Sequence, residues 1–224
     1  TNTLTISGSQ SAAALHVAQT ATLRVNGNGT LNATGGPNSA GIGGGHSEIA
    51  GTMIFNSGVV NASAWTSGTG GTCAGAGIGA GVVGGSTHIE LNGGDINAWG
   101  AYHAAGIGAG YGNLDVVPYS EGNSQHGAVK GANRHKFYRK CGDITITNGF
   151  IKSTGGTHGG AFGAACVTTA QGCVIRVTGG TLIGKATSAD MYAIDGNGGK
   201  IYITGGSVHP DGGKGFRMEN GVNY

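Results

Sequence analysis

Three observations on this sequence predict an all-β solenoid, a parallel β-helix. Of its 224 residues 50 are glycine, a short block of the form AGIGxG recurs, and segments alternating apolar with polar residues lie between the blocks. Glycine at roughly three times its ordinary usage would cost a helix on the order of 1 kcal/mol at every fourth or fifth position. No Gly-X-Y period is present, so a collagen helix is excluded. A net charge of +2 and 38% hydrophobic residues do not fit charge-driven disorder.

The elements repeat in a fixed order. A first strand reads LRVNG at 23–27, MIFNS at 53–57, IELNG at 89–93, ITITN at 144–148, IRVTG at 175–179 and IYITG at 201–205. A second follows as LNA at 31–33, VNA at 60–62, INA at 96–98, IKS at 151–153, LIG at 182–184 and VHP at 208–210. The third is AGIGGG at 40–45, AGIGAG at 76–81 and 105–110, then GAFG at 160–163 and YAID at 192–195. Three short strands without a helix cannot bury a face alone and must stack on their neighbours. About seven coils at ~4.8 Å each give a rod on the order of 35 Å long. We expect a single domain over 1–224, part of a longer chain, with a loop inserted at 111–141.

On these blocks the sequence resembles the right-handed parallel β-helix repeat proteins, in particular the glycine-rich extracellular type with one AGIGxG block per coil, and distantly the pectate-lyase-like solenoids. The resemblance spans nearly the whole chain and implies fold more than activity, because similar repeats serve adhesins, carbohydrate-binding modules, lyases and glycosidases. The acidic calcium cluster and the Arg-x-Pro signature of pectate lyases are missing, the prolines being Pro37, Pro118 and Pro210.

Alignment of the coils turns outward residues into columns. Asn26, Asn56, Asn92, Thr147, Thr178 and Thr204 close the first strand; Asn32, Asn61, Asn97, Lys152, Ile183 and His209 mark the second. Both read as ladders of amides and hydroxyls bonded from coil to coil. Beside them, His88 and Glu90 fall next to Asp143, with Arg176 one coil further. Carboxylates so placed lie ~5 to 8 Å apart, the range glycosidases use. Glu90, Asp143 and Arg176 are therefore the catalytic candidates if the chain is an enzyme. His88, Trp99 and Lys152, with Tyr138 and Arg139 from the loop, are the ligand-binding candidates. The bland alternative is a solvated face whose ion pairs each contribute under about 1 kcal/mol.

The glycines of the third strand leave two options. They give either one bare, flat face on which another rod or a polysaccharide could lie, or merely a tight coil. Cys73, Cys141, Cys166 and Cys173 contain no C-x-x-C pair, so disulfides are expected rather than zinc. Cys141–Cys173 or Cys166–Cys173 would each staple neighbouring coils. Asn28, Asn32 and Asn61 begin N-glycosylation sequons. No cofactor or metal is expected; calcium stays open as an option through Asp195, Asn197 or Asp211, with no recognisable ligand spacing to support it. The basic cluster at Lys130, Arg134, Lys136, Arg139 and Lys140 suits an anionic glycan or acidic partner better than nucleic acid. No apolar run reaches the ~18 residues of a membrane span.

The expected function is an extracellular or cell-surface structural and adhesive module that self-associates, contacts other surface proteins or binds glycans. The alternative is a carbohydrate-active enzyme, a polysaccharide lyase or glycosidase, with its cleft on the first-strand face beside the loop. Ice binding is disfavoured because T-x-T occurs only at Thr1/Thr3, Thr3/Thr5, Thr20/Thr22 and Thr145/Thr147.

Overall fold

The computed structural model describes residues 3–8, 11–65, 75–111, 141–165 and 172–217, and all its regular elements are β-strands. Sheet A holds β1 (Thr3–Ser7), β4 (Thr30–Thr34), β7 (Val59–Ser63), β10 (Asp95–Trp99), β13 (Phe150–Thr154), β16 (Thr181–Lys185) and β19 (Ser207–Asp211). Sheet B holds the two-residue β2 (Leu15–His16), β5 (Ile42–Gly43), β8 (Ile78–Gly79), β11 (Ile107–Gly108) and β14 (Phe162–Gly163), then β17 (Tyr192–Asp195) and β20 (Lys214–Arg217). Sheet C holds β3 (Thr22–Val25), β6 (Ile49–Phe55), β9 (Gly85–Leu91), β12 (Asp143–Ile146), β15 (Val174–Val177) and β18 (Lys200–Ile203). Every strand pairs in parallel with its equivalent one coil away, which makes a parallel β-helix of about seven coils. Of the expected insertion, 112–140 lies outside the described residues.

Alternation within each strand sends one set of side chains into the lumen. Met53, Ile89, Ile144 and Ile175 stack from sheet C, Val60, Ile96, Ile151 and Leu182 from sheet A, and Ile42, Ile78, Ile107, Phe162 and Ile194 from sheet B, all at most 1% exposed. Each such aliphatic side chain contributes about 1.5–3 kcal/mol on burial. Cys141 and Cys173 are joined by a disulfide between adjacent coils, with Cα atoms 5.5 Å apart. Such a link contributes on the order of 2–4 kcal/mol. Cys73 and Cys166 lie outside the described residues.

The third-strand glycines are buried, so the bare open face is not what they form. A Cβ on Gly41 would come within 2.7 Å of the Ser63 carbonyl, and one on Gly77 within 2.6 Å of the Trp99 amide nitrogen, both on the adjoining edge of sheet A. Gly43, Gly79 and Gly108 hold φ at 133°, 133° and 134°, and a Cβ on any of them would run into the carbonyl of its equivalent in the following coil. The turns flanking sheet B are tied to each other between coils, Ser11 O accepting from His46 N at 3.1 Å and Asn38 O from Val82 N at 2.8 Å. Small residues here serve a tight coil.

The glycine column ends at Asp195, which is 3% exposed. Its carboxylate receives both Nε (2.7 Å) and Nη2 (2.6 Å) of Arg217 from the next coil. Burial still raises this carboxyl above its ordinary range, against the pull of the guanidinium.

Close approach and backbone sign can be separated by substitution. Gly27 has φ 105° but open space around its Cβ position, whereas Gly79 has φ 133° and a carbonyl in the way. Gly27→Ala should cost the backbone strain alone, about 1–3 kcal/mol. Gly79→Ala should cost clearly more in urea denaturation, and equal losses would show that coil spacing is not what requires glycine.

Candidate functional site

Both expected ladders form over their first rungs. Asn56 Nδ2 donates to Asn26 Oδ1 at 2.8 Å, Asn92 Nδ2 to Asn56 Oδ1 at 3.1 Å, and Thr147 Oγ1 to Asn92 Oδ1 at 2.9 Å. On sheet A, Asn32 Nδ2 donates to Thr5 Oγ1 (3.3 Å), Asn61 Nδ2 to Asn32 Oδ1 (2.8 Å) and Asn97 Nδ2 to Asn61 Oδ1 (3.2 Å). Each bond contributes about 0.5–1.5 kcal/mol and holds its column in register. Of the three sequon asparagines, Asn32 and Asn61 thus use the nitrogen that would carry a glycan, while Asn28 stands exposed in the turn between β3 and β4.

The residues expected to form a site fall on two faces. On sheet C, His88 lies opposite Asp143, and Glu90 lies between Ile54 and Thr145. His88 Nε2 is 2.9 Å from Glu90 Oε1, and Asn92 Nδ2 donates to Glu90 Oε2 at 3.3 Å. The hydrogen bond from His88 is the main cause that holds the Glu90 carboxyl below its ordinary range, with burial acting against it and Asn92 and Arg24 helping. Glu90 is therefore an oriented anion, placed to hold a cation or to accept a hydrogen bond rather than to donate a proton. Arg176, opposite Thr145, places its guanidinium 5.4 Å from the Tyr202 ring centre.

Sheet A carries the other set. Trp99 ends β10 between Ser63 and Thr154 and is 41% exposed. Lys152 lies opposite Asn97, its Nζ 4.8 Å from the Phe150 ring centre. Trp65, two residues past β7, and Tyr102, three residues past Trp99, are 38% and 41% exposed. Three exposed aromatics thus gather where sheet A turns toward sheet B in two adjacent coils. Tyr138 and Arg139 lie outside the described residues. Among the described residues no group of three or more His, Cys, Asp or Glu side chains could hold a metal ion.

One cluster escaped the sequence reading. The His103 ring stacks between Tyr111 (centroids 4.6 Å apart) and His158 (5.0 Å), and Tyr102 meets both histidines edge-on at 4.5 and 5.0 Å. His158 Nε2 is 3.3 Å from Tyr102 Oη, and His103 Nδ1 is buried without a hydrogen-bond partner. The signal was present: His103 and His158 each stand four residues before the buried residue of the third strand, Ile107 and Phe162.

Comparison with protein-family models, with curated proteins and with solved structures finds no match.

Burial, then the neighbouring His158 charge, pushes the His103 pKa down. The folded chain therefore binds fewer protons here than the unfolded chain, and stability falls as the pH drops below the ordinary histidine value of about 6.5. The urea midpoint should be lower at about pH 5.5 than at about pH 7.5, and His103→Phe, which keeps a stacked ring, should reduce the difference. An unchanged pH dependence in that variant would remove His103 as its source.

Proposed function

We propose that the chain is an extracellular or cell-surface adhesive module of the glycine-rich β-helix type that binds glycans on the seam between sheets A and B. The observation that carries this reading is the exposure of Trp65, Trp99 and Tyr102 near the end of sheet A, with the strand that ends at Trp99 paired on both sides. A pyranose presents a face of C–H groups that stacks on an indole or phenol ring, and its hydroxyls need donors and acceptors nearby. Asn97, Lys152 and Thr154 supply these on the strands around Trp99. The disulfide fits an oxidising compartment. Self-association through a bare glycine face is not retained, since that strand is buried.

Affinity electrophoresis and calorimetry against a panel of neutral and anionic polysaccharides test the proposal. At least one should bind, and Trp99→Ala should weaken it about tenfold or more, the loss expected of an aromatic anchor. Binding to no member of the panel, or binding that Trp65→Ala and Trp99→Ala together leave intact, overturns it.

A second reading, a polysaccharide lyase or glycosidase, is favoured by the ionised Glu90 held by His88 beside Asp143. It predicts turnover on the same panel, followed as reducing ends or unsaturated products. That turnover should be lost in both Glu90→Gln and Asp143→Asn, and turnover that persists in both would end this reading.

A further inference from the structure

The chain contains Asn-Gly pairs at 26–27, 28–29, 92–93, 148–149, 197–198 and 220–221. An asparagine followed by glycine can cyclise on itself, because glycine offers no side chain to hinder its nitrogen. Whether it does so in a folded chain depends on how the two groups are held. The ladders hold two of them apart from this chemistry. Asn26 Oδ1 accepts from Asn56 while the Gly27 N–H donates to Ser57 Oγ at 2.8 Å. The Asn92 carboxamide is engaged at both ends, with Asn56 and Glu90 on its nitrogen and Thr147 on its oxygen.

Asn148 differs because it stands one residue past the ladder position, which Thr147 occupies. Its side chain is exposed, and the Gly149 N–H points at Asn148 Oδ1 at 2.8 Å. The carboxamide carbon is one bond beyond that oxygen, so the nitrogen that must attack is held next to it; loss of the amide proton releases this hydrogen bond, and a turn about Cβ–Cγ then brings the face of the carboxamide to the nitrogen. Gly149 sits at φ 104° in the turn joining β12 to β13. Asn28 is also exposed, but nothing holds the Gly29 nitrogen against its side chain in this way.

We propose that Asn148 is a site of spontaneous modification, converting through a cyclic imide to aspartate and isoaspartate. Solvent base removes the Gly149 amide proton, and the nitrogen adds to Cγ of Asn148. The Cγ–Nδ2 bond breaks, and the nitrogen leaves as ammonia after taking a proton. Water then opens the five-membered ring at either carbonyl. Opening at one gives aspartate with the original backbone; opening at the other routes the chain through the side chain and lengthens it by one carbon. Either product places a carboxylate at the corner between the face carrying Asp143 and the strand carrying Phe150 and Lys152. The isoaspartate form also shifts the start of β13 relative to its neighbours.

The folded chain is incubated at mildly alkaline pH and mapped by peptide mass spectrometry, with an isoaspartate methyltransferase as a second readout. Modification should accumulate at Asn148 on the order of tenfold or more faster than at Asn26 and Asn92, within the span that near-attack positioning controls. In denaturant the difference should vanish. Asn148→Gln should abolish most methyl-accepting capacity while leaving the urea midpoint unchanged. Faster modification at Asn28, Asn26 or Asn92 than at Asn148 in the folded chain, or an intact Asn148 there when the denatured chain modifies it, would overturn the proposal.

Discussion

The distance between successive coils is the constraint on which the rest of this structure depends. A parallel ladder brings equivalent residues to strand spacing, about 4.8 Å, and everything at one position in a coil must tolerate its counterpart directly above. At Gly43, Gly79 and Gly108 the backbone turns with positive φ, and the space a Cβ would take belongs to the next coil's carbonyl. At Gly41 and Gly77 the space belongs to the edge of sheet A. Glycine is thus required by two contacts, one along the axis and one at the corner with sheet A. Where these glycines stand, the strands of sheet B are two residues long, and where Asp195 takes the glycine position β17 extends over Tyr192–Asp195.

Given that spacing, side-chain chemistry propagates along the axis. An asparagine can donate to the coil on one side and accept from the coil on the other, which neither serine nor aspartate can do with the same reach. Asn26, Asn56 and Asn92, and likewise Asn32, Asn61 and Asn97, form such columns. The first ladder passes to threonine at Thr147, and Lys152 occupies the corresponding place in the second. The same coils carry Asp143, Phe150 and Lys152 on their outward faces, so the chemistry gathers where the repetitive columns stop.

Register was legible in the sequence because a period of two and a repeated block leave little freedom once the strands are parallel. The opposition of His88 to Asp143, of Glu90 to Thr145 and of Asn97 to Lys152 follows from alignment alone. Side-chain partners were less legible. Arg176 turns to Tyr202 because the next strand offers an aromatic face, and His88 prefers Glu90 on its own strand. Alternation alone leaves the glycine strand undecided between a bare face and a tight coil, because its rule that every second residue points outward fails where a two-residue strand is enclosed by the turns on either side. His103 and His158 were missed because they sit in those turns rather than on strands.

The charge pattern separates what holds the fold from what is available to a ligand. Asp195 and Arg217 spend their charges on each other at the glycine column, where the carboxylate is 3% exposed and a lone charge would be costly. Glu90, by contrast, keeps a third of its side chain in solvent while His88 and Asn92 fix its direction. Orienting an ionised group at a solvent boundary costs side-chain entropy and contributes little to stability. The aromatic seam runs on the same logic, since an indole left 41% exposed forgoes burial that the lumen beneath could have supplied. Among the described residues, Glu90 on sheet C and Trp99 at the end of β10 on sheet A are thus groups that the coils present outward at the cost of burial or side-chain freedom, on two different faces of the rod.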